Sequence, residues 1–122
     1  MDSREFEDEV FRAVESLPPD FALLLDNLEV MVRRAPAPGE LRKQGLGPGE
    51  TLLGLYEGVP LTGRGYGYNL ITPDCITIFM DPVLAHAGHT GEPPSRVIRR
   101  VVLHEIAHHF GMPEARLREL GY

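Results

Sequence analysis

The 122-residue sequence predicts an α+β fold in which a small sheet of about three strands packs on helices. Three observations carry that expectation. Apolar residues recur at helical spacing near both ends of the chain. Three short β-branched runs lie between those ends. The connections are long and rich in proline and glycine, with no repeat, no low-complexity tract and no boundary between domains. Residues 1–122 therefore read as one domain, large enough to form a core without disulfides or a structural metal.

Taken in order, Asp2 followed by Glu5 forms a capping box at the start of a helix. Phe6, Val10, Ala13, Val14 and Leu17 then supply its buried stripe, and Pro18 and Pro19 stop it. "LEVMVRR" is roughly alternating and β-branched, so it reads as a first strand. "APAPGELRKQGLGPGE" reads as loop throughout. "TLLGLYEG" reads as a second strand, and "VPLTGRGYGYNLITPD" as an irregular crossing. "CITIFMD" is the clearest strand, and its "TIFMD" part is expected at a sheet edge, lining a cleft where an extended peptide can add by backbone hydrogen bonds. "PVLAHAGHTGEPP" reads as a helical turn and then a loop carrying His86 and His89. From about Pro94 to Phe110 the pattern is helical; Gly111 ends it and Pro113 opens a short last helix.

Bulk charge narrows the function. There are 12 basic and 18 acidic residues, a net charge of −6, so neutralising a phosphate backbone offers nothing and no nucleic-acid partner is expected. Cys75, the single cysteine, excludes an intramolecular disulfide and suits a reducing compartment. "MDSREFEDEVF" is acidic and amphipathic, unlike a signal peptide, and no apolar run approaches the roughly 18 residues that span a bilayer. A soluble, cytoplasmic domain with no membrane partner is the expectation. Oligomeric state leaves no mark in the sequence.

The chemistry concentrates in "VVLHEIAHHFGMPE". On a helical wheel Val97, Val101, His104 and His108 share one stripe, with Glu105 beside it; Ile98, Val102, Leu103, Ile106 and Phe110 cover most of the rest. Such a helix is buried, and burying two imidazoles and a carboxylate is costly unless all three are satisfied. A metal ion would satisfy them together. Residues i and i+4 place their Cβ atoms roughly 5–6 Å apart, which lets two imidazoles converge on one ion at about 2.0–2.1 Å. Glu105 points about 100° away from His104, wrong for a ligand and right for a base beside a metal-bound water. At average residue usage a bare H-E-x-x-H arises by chance in roughly a few chains per thousand of this length. The glycine and acid that follow make chance rarer still, which favours zinc over merely hydrogen-bonded histidines.

Zinc in an open catalytic site takes three protein ligands. A helix break at Gly111 turns the chain back toward the ion, where Glu114 is able to supply an oxygen. Glu114 also fits as an acid in the first turn of the last helix, favoured there by the helix dipole. Glu119, His86, His89 and Asp81 are the other candidates for the third position.

"HEIAHHFGMPE" resembles the extended H-E-x-x-H-x-x-G-x-x-[H/D/E] signature of zincin metallopeptidases. With "LLGLYEGVPL" and "DCITIFMDP", "VVLHEIAHHFGM" is similar to the small bacterial zincin-like metallopeptidase family, formerly a domain of unknown function. The resemblance spans about residues 17–111. It implies a minimal zincin fold with a short mixed sheet over a buried H-E-x-x-H helix. It further implies His104 and His108 as zinc ligands, Glu105 as catalytic base and Glu114 at the position of the third ligand, which is His or Asp in relatives. Metzincins carry a methionine turn after that ligand; none of residues 115–122 is methionine, so the likeness is to the minimal family.

The remaining motifs weigh less. "GRGYGYN", Gly63 to Asn69, lacks the strand and helix of a phosphate loop and reads as a flexible segment from which Tyr66 or Tyr68 would have to swing in to reach an oxyanion. His109 lies beside Glu105 on the wheel, as a proton relay or as a partly exposed histidine. Two functions follow. The first is a zinc-dependent peptidase that hydrolyses peptide or protein substrates through a metal-bound water activated by Glu105. The alternative is a non-catalytic, metal-containing module that binds a peptide or a protein partner. Retention of Glu105 favours the first, since a purely structural site has no use for it.

Overall fold

The computed structural model describes residues 1–19, 28–47, 49–57, 74–109 and 114–119; the side chains of 108, 109, 114, 116 and 117 lie outside that description. Helix α1 spans Ser3–Glu15. Its first turn is capped by Asp2, whose Oδ1 accepts from the Glu5 backbone N–H at 2.8 Å, the first half of the expected capping box. Phe6, Val10 and Ala13 form its buried stripe, and the helix closes at Ser16, before the two prolines.

Strand β1 is Leu28–Arg33, and its exposed Glu29 and Met31 alternate with half-buried Leu28, Val30 and Val32. The segment expected as loop then forms a short helix, α2, Pro38–Lys43. Pro38 occupies its first turn, where a missing N–H costs nothing, and Glu40 Oε1 accepts from the Ala37 N–H at 2.7 Å. The other oxygen of Glu40 accepts from Arg33 at 2.7 Å, tying α2 to β1 and holding the Glu40 carboxyl below its usual range.

Strands β2, Gly54–Glu57, and β3, Asp74–Phe79, complete a three-stranded mixed sheet of order β1-β3-β2. β1 pairs with β3 in parallel and β2 pairs with it antiparallel. β3 is therefore the central strand, and the expectation that "TIFMD" forms an edge is overturned. The cause is visible in its burial: Ile76, Thr77, Ile78 and Phe79 are all buried, as in a strand covered on both faces. The edge on the side of the chemistry is β2.

Helix α3, Met80–Thr90, follows β3 directly, so the turn and loop expected over residues 82–94 are a three-turn helix. Met80, Val83 and Ala87 pack inward and stabilise it, and it ends at Gly91, whose φ of 76° is the left-handed conformation that a helix end uses to turn the chain. Helix α4, Pro94–His109, lies at the centre and touches α1, α3, β2 and β3. Val97, Ile98, Val102, Leu103, Ile106 and Ala107 are each fully buried, along with Phe6, Val10, Ile76 and Ile78 across from them. Each such aliphatic side chain contributes about 1.5–3 kcal/mol, so α4 is anchored by its apolar faces rather than by its polar groups. A last helix, α5, covers Glu114–Glu119. Among the described residues no helix is long and apolar enough to cross a membrane.

Candidate active site

Helix α4 presents its polar stripe at one opening in this packing. His104 and Glu105 are half-buried, and the Nε2 atom of His104 is shielded from solvent. They form part of the wall of a cleft of about 390 Å³. Arg100 and Val101, one turn earlier on α4, extend that wall; residues 51–54 face it, and His86 of α3 closes one side. The segment before β2 is held in place by the sheet, since the Phe79 N–H donates to the Leu53 carbonyl at 3.0 Å.

The charges around the cleft are largely committed. Arg100 makes a two-pronged contact with Glu92, 2.7 and 2.9 Å, across the turn that joins α3 to α4. Hydrogen bonding from Arg100, assisted by Thr90, pushes the Glu92 carboxyl down to about 2. The pair spans the turn between α3, which carries His86, and α4.

The structure distributes the expected site residues unevenly. His104 and Glu105 come together at the cleft. His108 is carried one turn further along α4, and Glu114 is the first residue of α5, so both expected positions fall on helical backbone. Their side chains, and the expected break at Gly111, lie outside the described residues, as does the Gly63–Asn69 segment with Tyr66 and Tyr68. Of the competing ligands, Asp81 is exposed and faces Arg34 at 3.6 Å, and His89 and Glu119 are exposed. His86 was expected in a loop with His89; both sit on α3, and His86 alone reaches the cleft. Among the described residues no three histidine, cysteine, aspartate or glutamate side chains converge as a metal site. Cys75 is half-buried on β3, 3.9 Å from the Thr77 hydroxyl, it does not line the cleft, and burial raises its thiol pKa.

The described part of the donor set nonetheless fits zinc. An imidazole nitrogen removed from bulk water stands beside a carboxylate at the wall of an open cleft, on a rigid helix. The sequence did not single out Arg100 or residues 51–54 as part of this cleft. One signal was present: Gly54 interrupts an otherwise apolar strand, a mark of close backbone approach.

The fold is shared. A conserved hypothetical protein from Thermo thermophilus superposes with a TM-score of 0.63 at 25% identity, over 94% of this chain and 99% of that one. No curated protein matches the sequence. The family model described as zincin-like metallopeptidase matches residues 25–122, which include β1, β2, β3 and the whole of α4 with its His104-Glu105 pair. By that match the chain belongs to the zincin-like metallopeptidase family.

Proposed function

We propose that the protein is a cytoplasmic zinc-dependent peptidase. His104, His108 and Glu114 hold the ion, and Glu105 is the general base. A bound zinc ion supplies Lewis acidity toward the scissile carbonyl and toward a water molecule. Glu105 accepts a proton from the attacking water as its oxygen bonds to the carbonyl carbon. As the carbon–nitrogen bond breaks, Glu105 returns that proton to the departing amine, so the carboxylate is regenerated. The half-buried setting of Glu105 holds it partly away from competing water. Fixing the base on a packed helix removes reorientation from the reaction.

The observation that carries this reading is the pairing of His104 and Glu105 at one cleft, on a helix whose other faces are spent on the core. Membership of a metallopeptidase family supports it. The test joins metal analysis of the purified protein to a peptide-library assay of wild type and Glu105→Gln. Zinc near one equivalent in both, with cleavage in wild type alone, is the expected result. Zinc retained with no cleavage by either protein would instead favour a metal-containing module that binds peptides or partners without hydrolysing them.

A further inference from the structure

The glycine at the start of β2 has no backbone reason to be there. Its φ lies outside the left-handed region that favours glycine, and a glycine within a strand weakens it. A side chain there would meet Glu105 and Val101. A Cβ at position 54 would stand 3.0 Å from Glu105 Cγ, 3.1 Å from Val101 Cγ1 and 3.3 Å from Glu105 Oε1. These separations are shorter than ordinary van der Waals contact. On the strand side Gly54 is paired with Ile78, which is fully buried, and that pairing resists a shift of β2. Val101 is itself buried on α4. The group left to move is the Glu105 side chain, whose middle carbon, not only its tip, is in contact.

We propose that Gly54 is a positioning residue for Glu105: by carrying no side chain it lets the β2 backbone press directly on the carboxylate arm and hold it in one place at the cleft. The inference rests on Glu105 as the proton acceptor of the proposed reaction. A half-buried glutamate has several rotamers open to it in a cleft of about 390 Å³. A backbone wall on that side of the arm narrows the set of rotamers open to it. Substitution to alanine displaces the arm by a few tenths of an ångström, and misplacements of about 1 Å are known to lower rates roughly 100-fold.

The test is a double-mutant cycle on the metal-free protein, joined to kinetics on the zinc-loaded one. Denaturation midpoints are measured for wild type, Gly54→Ala, Glu105→Ala and the double variant. Gly54→Ala should lower the midpoint when Glu105 is present and lose at least half of that effect in the Glu105→Ala background. Equal effects in both backgrounds overturn the proposal. If Gly54→Ala alone fails to fold, a folded double variant demonstrates the coupling, and failure of both overturns it. At equal zinc content Gly54→Ala should lower kcat about tenfold with KM within twofold; unchanged kcat overturns the positioning role. Coupled midpoints in a protein whose wild type cleaves no peptide would uphold the placement of Glu105 by Gly54 and remove the peptidase reading instead.

Discussion

Glu105 and His104 are adjacent in sequence and share the wall of one cleft, yet the proposed reading gives them different roles, His104 as ligand and Glu105 as base. The 100° step between consecutive helical residues separates their roles. Glutamine at 105 keeps the size and the hydrogen-bonding shape of the side chain while removing its ability to carry a proton. Glu105→Gln should therefore retain zinc and lower kcat by about 10²–10⁴-fold, the usual contribution of a general base. Steady-state kinetics beside metal analysis checks this, and a variant as active as wild type would sink the assignment. Cys75 makes the opposite case at this scale. Its raised thiol pKa, caused first by burial, leaves little thiolate at neutral pH. Alkylation by iodoacetamide at pH 7 should run several-fold slower than for a model thiol and reach the model rate in denaturant. Fast modification of the folded protein would contradict the burial.

Elements were legible in proportion to how regular their patterns are. α1 and α4 announce themselves through apolar spacing, and the residues so selected include the buried Phe6, Val10 and Ala13 on one and Val97, Ile98, Val101, Val102, Leu103 and Ile106 on the other, while the fully buried Ala107 was not among them. α2 was read as loop and α3 only as a helical turn because proline and glycine punctuate both segments. The structure uses those residues at helix ends: Pro38 in a first turn, Gly91 just past a last one. Strand order was unreadable for a different reason. A buried run such as "CITIF" looks alike at an edge or a centre until its neighbours are known. The α3–α4 junction yields a pH prediction. The Glu92 carboxyl is depressed from 4.5 to about 2, chiefly by the hydrogen bonds from Arg100. A lowered folded-state pKa means the contribution is fully present above about pH 4.5 and disappears as pH falls toward 2. Thermal midpoints of wild type and Glu92→Gln should differ by a constant amount at neutral pH and converge across that window. A gap that stays constant down to pH 2 would show that the ion pair contributes nothing through ionisation.

At the scale of the whole molecule, half of the candidate site is a property of one helix and half is a property of the fold. The first half was open to the sequence, because i and i+4 on α4 are set by helix geometry alone. The second was not: the cleft needs β2 to run over Glu105 and α3 to bring His86 across, and both depend on a strand order that spacing does not encode. Zinc held between α4 and α5 would join the end of the chain to its core, so metal should act on global stability as well as on chemistry. A ligand bound only by the folded state stabilises it by RT ln(1 + [L]/Kd), about 2.7 kcal/mol at one hundred times Kd. For a domain of this size, at about 4 °C per kcal/mol, that corresponds to a rise of about 10 °C in Tm. Chelation should lower the Tm of the protein as purified, and added zinc should restore it. His104→Ala should unfold at a temperature that no longer depends on zinc, whereas His89→Ala, at the exposed end of α3, should keep the full zinc response. If His104→Ala responds to zinc as wild type does, the ion binds elsewhere, and Glu105 loses the neighbour that makes it a base.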